Sequence, residues 1–374
     1  MRVAAVFLAM PVGGAEDLAV QAAHALAPRG VETVFVCLRE PGVMGEELLA
    51  AGAPLHALPV AGRRRFSRRG RRRLEEFLRD QKIDVVHSHT YHAHTYAVPA
   101  ARAIGCPVLV HHHKTLEKMK WHRWWTMRFL LRRAQGVLAL SAATAGDLRR
   151  SFGLDQVRVR ALPNAVDSSV FHPVPAEQKR EQRRELGLPE RGHLMVTVAS
   201  LNEVKNHRLG LQALARVVAG ETPGREVFWV IVGEGRERAG LEAERDQLGL
   251  RERVFFVGNQ RPVSPWLQMA DAFLFPSRWE GQSLALLQAR ACGLPILASA
   301  IEGNTALLGT EHPGLFASED IVSCAEQWAR LAAEPEWAHG LVEAQNQLPL
   351  PTWDSLVDNL HGIYQSLERG ELLP

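Results

Sequence analysis

Four loop segments carry residue types that can bind a phosphorylated, hydroxyl-rich ligand. Gly13-Gly14-Ala15-Glu16 follows an apolar run and opens a helical pattern. Glycines let the backbone approach a ligand, and the amides of a helix start suit an anion, although a plain tight turn would use the same two residues. Ser200 to His207 contains Lys205, a point charge placed to meet a phosphate. A solvated loop lysine is the competing reading. Gly233-Glu234-Gly235 again permits close approach but lacks the further spaced glycine of a dinucleotide fingerprint. Pro276 to Leu284 is the richest segment, running into a helical pattern, Ala285–Cys292, that Gly293-Leu294-Pro295 stops. The amides around Gln282, Ser283 and Leu284 would leave the N-terminus of that helix, where the dipole favours a phosphate. Glu280 can hydrogen-bond sugar hydroxyls. Gln288, about two turns deeper, can meet a ribose or be an ordinary helix residue.

Such loops need rigid elements behind them. In the N-terminal half, short apolar runs at Arg2–Ala9, Glu32–Leu38, Ile83–Ser88, Pro107–Val110 and Gly136–Leu140 read as buried parallel strands. Helical patterns lie between them, at Glu16–Leu26, Leu74–Asp80 and Ala97–Ala103. The rhythm pauses at Asp167–Leu188, a Pro-containing connection with a charged surface helix. A second series follows at Leu194–Ala199, Val227–Val232, Arg253–Val257, Ala272–Phe275 and Pro295–Ser299, and Trp353–Leu367 reads as an amphipathic helix. This alternation predicts α/β architecture with two doubly wound sheets. The expected domains are 1–170, 171–350 and a terminal helix, 351–374. In such sheets ligands bind beyond the carboxyl ends of the strands, which is where all four loops fall.

Composition agrees with a globular chain of two domains: 374 residues, 46% hydrophobic and 23% charged. No apolar run of about 18 residues is present, and Met1–Met10 reads as a first strand rather than a secretory signal. Cys37, Cys106, Cys292 and Cys324 are scattered, as expected of free thiols in a reducing cytoplasm. The net charge of +3 conceals an asymmetry: residues 1–170 hold 25 basic and 14 acidic side chains, the remainder 19 and 27. Much of the excess is Arg63, Arg64, Arg65, Arg68, Arg69, Arg71, Arg72 and Arg73. A second stretch interleaves Lys118 and Lys120 with Trp121, Trp124 and Trp125. Arginine clusters with tryptophan suit an anionic membrane surface, and a solvated basic loop is the alternative. No nucleic-acid module is visible. His87, His89, His92, His94 and His111 to His113 match no standard zinc spacing, so no metal is expected.

The loop from Glu280 resembles the Glu-Gly-x-x-x-x-x-x-Glu signature of retaining glycosyltransferases of family four, which have the GT-B fold. Other pieces stand in that family's order: Gly-Gly-x-Glu at Gly13–Glu16, Asp84 to His89, Leu140-Ser141, Leu162 to Asp167 with Phe171, the Lys-Asn-His loop at Lys205, and Val232–Gly235. The resemblance spans roughly residues 2–310. It implies two Rossmann-like domains facing across a cleft. It also implies a nucleotide-sugar donor, a UDP-sugar favoured over a GDP-sugar, and metal-independent chemistry. By the same resemblance Glu280 contacts the transferred sugar, while amides of Gln282, Ser283 and Leu284 hold diphosphate or sugar. Lys205 neutralises the diphosphate, Gly14 offers an amide to it, residues near Gly258 line the base pocket, and His113 lies near the transferred sugar. Two positions depart from the pattern: Gln288 stands where a Glu is usual, and Ser200 where many members have an Arg.

These implications make the chain a cytoplasmic retaining transferase, peripheral on the inner face of the plasma membrane. It would act on a glycan or lipid-linked acceptor in envelope polysaccharide or lipopolysaccharide assembly. A sugar-nucleotide epimerase on the same fold, or a binding protein with a degenerate site, are the alternatives that Gln288 and Ser200 keep open.

Overall fold

The computed structural model describes residues 1–60, 67–113, 120–155, 158–220, 226–371 and 373. The chain forms two compact units, Met1–Asn164 with Asp354–Pro374, and Ala165–Trp353.

The first unit runs β1 (Arg2–Phe7), α1 (Gly14–Leu26), β2 (Glu32–Cys37), α2 (Gly42–Ala50), β3 (Leu55–Ala57), α3 (Arg68–Asp80), β4 (Val85–Ser88), α4 (Tyr91–Ala103), β5 (Val108–His112), α5 (Trp121–Leu131), β6 (Gly136–Ala139), α6 (Ala142–Phe152) and β7 (Val159–Ala161). The second continues with α7 (Ala176–Glu185), β8 (His193–Val198), α8 (His207–Ala219), β9 (Val227–Val232), α9 (Arg238–Gln247), β10 (Val254–Gly258), α10 (Ser264–Gln268), β11 (Ala272–Phe275), α11 (Leu284–Ala291), β12 (Ile296–Ser299), α12 (Glu302–Leu308), β13 (Leu315–Phe316), α13 (Ile321–Ala333) and α14 (Pro335–Asn346). Helix α15 (Trp353–Glu368) returns the chain to the first unit.

Each unit holds one parallel sheet, ordered β3-β2-β1-β4-β5-β6-β7 and β10-β9-β8-β11-β12-β13. The strand order reverses beside β1 in the first sheet and beside β8 in the second. Chain crossovers diverge there and leave a crevice at the carboxyl edge. Burial on both faces explains the strand composition. Along β1, Ala4 and Val6 pack with Leu74, Ala97 and Leu148 on one face, while Ala5 and Phe7 pack with Ala23, Met44 and Leu48 on the other. Helix starts are set by short polar caps: Ser67 accepts from the Gly70 amide, Thr90 from Ala93, Ser141 from Thr144 and Ser283 from Leu286.

Among the described residues, both basic stretches run into helices. Residues from Arg68 form the first turns of α3, with Arg68, Arg69, Arg72 and Arg73 exposed and Arg71 paired to Glu75 at 2.9 Å. Arg63, Arg64, Arg65 and Lys118 lie outside the described residues. Lys120 is exposed and precedes α5, on which Trp121 is 77% and Trp125 60% exposed. Trp124 corrects the sequence reading. It faces inward against the core, its ring 5.5 Å from Phe152, because helical geometry places residue 124 about 100° from 125. Its place on the outer stripe is taken by Phe129, 50% exposed, which continues the i, i+4, i+8 row from Trp121 and Trp125.

Candidate functional site

At the carboxyl edge of the second sheet, the loops after β8 and β11 meet. Asn202 shapes the first: its side-chain oxygen accepts from the amides of Val204 at 3.0 Å and Lys205 at 3.3 Å, closing a single 3-10 turn. Ser200 is exposed and its hydroxyl accepts from the Asn202 side-chain amide at 2.8 Å. The second loop is tied to the first by the Arg278 amide, which donates to the Val204 carbonyl at 2.8 Å. Lys205 Nζ then reaches Glu280 Oε1 at 2.5 Å. Both side chains are largely enclosed, and the ammonium also lies 5.0 Å from the centre of the Phe275 ring.

The backbone beneath this pair leaves no room for side chains. A Cβ at Gly235 would lie 2.2 Å from the Leu201 carbonyl oxygen, and one at Gly303 would lie 2.6 Å from the Glu280 carbonyl oxygen. Gly235 therefore lets the turn after β9 press on the Lys205 loop, and Gly303 lets α12 start directly under Glu280. The glycines of Gly233-Glu234-Gly235 thus support the loop by backbone packing. Gly258 sits at φ +74° and its carbonyl accepts from the Gly233 amide at 2.8 Å. Below Glu280, the Ser299 hydroxyl donates to the Ser277 carbonyl, and the fully buried Asn304 donates to the Ser299 carbonyl at 2.9 Å. Gly303, Asn304 and Ser299 escaped the sequence reading; a Gly-Asn pair at the start of a helix after a buried strand was the available signal.

Glu280, Gln282, Ser283 and Leu284 lead into α11, whose first amides have no intrahelical partner and carry the positive end of the helix dipole. Gln288 is buried on that helix. A lysine, a helix N-terminus and a carboxylate at one strand edge can accept a diphosphate beside a hydroxyl-bearing group.

In the first unit, Gly13 is extended and precedes α1, which opens at the exposed Gly14. Burial raises the Glu16 carboxyl above its ordinary range. His113 follows β5. The residue is partly exposed, but its Nε2 is buried, and burial followed by the His112 charge brings its pKa down to about 3, so the ring is neutral. Strand pairing does what the sequence spacing does not: ring nitrogens of His87, His89 and His111 come within 4.8 Å of one another.

Each unit is a Rossmann-like sheet, and in the second Lys205 and Glu280 pair beside the switch point between β8 and β11, where sheets of this class bind ligands. Residues 12–170 match the family model Glycosyltransferase Family 4, and residues 178–347 match Glycosyl transferases group 1. The chain belongs to the family-four glycosyltransferases and has the GT-B fold. It is 29% identical over 347 residues to the putative glycosyltransferase EpsF of Bacillus subtilis (strain 168), covering 89% of this chain and 88% of that one. It is 28% identical to the UDP-Gal:alpha-D-GlcNAc-diphosphoundecaprenol alpha-1,3-galactosyltransferase of Escherichia coli, covering 65% of this chain and 64% of that protein. Among solved structures, Anabaena HepE in complex with UDP and glucose superposes with a TM-score of 0.82 at 17% identity, covering 98% of this chain and 100% of that one.

Proposed function

We propose that the protein is a retaining transferase that moves a hexosyl or N-acetylhexosaminyl group from a UDP-sugar to a glycan or lipid-linked acceptor of the cell envelope. The Lys205–Glu280 pair at the entry to α11 carries this reading. As the sugar–phosphate bond breaks, negative charge grows on the diphosphate and positive charge on the sugar. Lys205 and the first α11 amides stabilise the former without a metal. The acceptor oxygen bonds to the sugar carbon on the face the diphosphate leaves, and its proton passes to the departing diphosphate. The names of two similar proteins support the donor and acceptor classes: one uses UDP-Gal on a diphosphoundecaprenol-linked sugar, the other was crystallised with UDP and glucose. Thermal-shift and turnover measurements with UDP-, GDP- and ADP-sugars test this. Stabilisation and transfer are expected with a UDP-sugar, unchanged by added Mg2+ or Mn2+. Donor binding without transfer would favour a degenerate site. Epimerised donor without an acceptor would favour the epimerase reading.

The acceptor class motivates a membrane surface. No helix among the described residues is long and apolar enough to cross a bilayer. The outward row Trp121, Trp125 and Phe129 on α5, and the exposed arginines of α3, lie on helices that both pack on α4. Basic side chains gain about 1 kcal/mol each at an anionic leaflet, and tryptophan settles at the interface. Flotation with phosphatidylglycerol vesicles should show binding that weakens with salt, most of it lost in Trp121→Ser/Trp125→Ser. Absence of salt-sensitive binding would remove this part of the proposal.

A further inference from the structure

We propose that His87, His89 and His111 form a metal site in the first unit, which takes a first-row divalent transition ion, zinc foremost. Neighbouring parallel strands build it. His87 lies on β4 and His89 just beyond its end, while His111 lies on the adjacent β5, which pairs with β4 through Val86↔Val108, His87↔Leu109 and Ser88↔Val110. Side chains two apart on a strand share a face, so the three rings project to the same side of the sheet. Ser88 projects to the other side, where its hydroxyl meets His94 Nδ1 at 2.8 Å. The three rings line a small pocket of about 30 Å³, in part open to solvent, between the sheet, α1 and α15.

All three residues are more than nine-tenths buried, yet their nitrogens are poorly matched. His87 Nε2, His111 Nε2 and both nitrogens of His89 have no protein hydrogen-bond partner. A buried nitrogen left this way costs on the order of 1–3 kcal/mol, and one cation bound to three lone pairs removes that cost at three places together. The outer contacts fit ligation as well. Histidine ligands ordinarily hold their second nitrogen in a hydrogen bond that fixes the ring, and His87 Nδ1 is 2.6 Å from Tyr364 Oη on α15. Phe7 stacks on His89 at 4.4 Å with ring planes 4° apart, which limits its rotation. Tetrahedral bonds of about 2.0–2.1 Å put ligand nitrogens about 3.4 Å apart, so the present span closes with ring movements under about 1 Å.

Imidazole donors in this number suit zinc, with copper and nickel as competitors. The three-histidine set leaves a fourth position for water. The ion would clamp the carboxyl ends of β4 and β5. It would also set the position of His113, whose ring stacks on His111 at 4.0 Å. Its ligands all belong to the first unit, whereas Lys205 and α11 belong to the second.

The test uses tag-free full-length protein stripped with a chelator and titrated with Zn2+ or Co2+. One equivalent should bind, Co2+ should show visible absorption of a low-coordinate nitrogen site, and X-ray absorption should report imidazole nitrogens at about 2.0 Å. His89→Ala and His111→Ala should abolish that equivalent, and Tyr364→Phe, which keeps the ring packing, should weaken it about 10–100-fold. His361→Ala, at a half-buried position of α15 outside the cluster, should change nothing. The proposal is overturned if no equivalent binds at micromolar Zn2+, or if metal bound to the native chain lacks imidazole ligands. It is likewise overturned if the bound equivalent survives in folded His89→Ala and His111→Ala, or if Tyr364→Phe binds as the native chain does.

Discussion

Lys205→Ala is expected to lower turnover of the preferred nucleotide-sugar by about 10²–10³-fold and to weaken binding of the free nucleoside diphosphate. Removing one preorganised group aimed at developing negative charge has an effect of this size in comparable sites. The companion change separates two roles. In the protein alone Lys205 is held by Glu280 at 2.5 Å, with side-chain exposures of 20% and 12%, so each charge already has a partner before ligand arrives. A diphosphate competes with Glu280 for the ammonium. Glu280→Ala removes that competitor, so nucleoside diphosphate binding should hold or tighten several-fold while transfer falls, because the sugar hydroxyls lose their carboxylate. Binding constants for the nucleoside diphosphate and single-turnover rates, measured on both variants, check the pattern. If Glu280→Ala left transfer unchanged, the donor sugar would have to sit elsewhere.

Arg290→Met should destabilise the second unit by about 3–5 kcal/mol, a loss on the order of 10 °C in its melting temperature. Arg290 is on α11, 4% exposed. Its guanidinium donates to the Leu307 carbonyl at 2.7 Å, the Gln345 carbonyl at 2.6 Å and the Leu348 carbonyl at 2.8 Å. Leu307 and Gln345 are in the last turns of α12 and α14, where carbonyls lack intrahelical partners and carry the negative ends of the dipoles. Burial pulls the guanidinium pKa down, yet the group stays charged, so these carbonyls are its compensation. Methionine preserves much of the volume and takes the donor from two buried carbonyls and one half-buried one. Urea unfolding should show a lower midpoint with an unchanged slope. Arg290→Lys should recover part of the loss, since an ammonium can satisfy some of the three. A midpoint within experimental scatter of the native value would mean that the helix ends are held by other contacts. The same contacts position α11, so a surviving Arg290→Met protein should also bind donor more weakly.

Much of the fold was legible because local patterns carry it. Continuous apolar runs such as Ile83–Ser88 and Val227–Val232 mark strands buried on both faces, and glycine or proline punctuation marks their ends. The edge strands β3, β7 and β13, of two or three residues, were not read, since so short a segment has no period. Helix α5 was read as a basic and aromatic stretch. Arginine and tryptophan dominate its composition, while Met127, Leu130 and Leu131 supply a core face visible only once the helix is assumed.

By itself the sequence determined the two alternating α/β series, the loops at the strand ends and the types of residue in those loops. Hydrophobic period, turn residues and motif order are local quantities. Only the tertiary structure decided that Lys205 and Glu280 form an ion pair, that Gly303 and Asn304 brace Glu280 from below, that Trp124 turns inward, and that His87, His89 and His111 share one patch. Each of these depends on which strands are neighbours, in what register, or on which helix face meets the sheet. Spacing along the chain does not encode contacts between residues that strand pairing brings together from tens of positions apart.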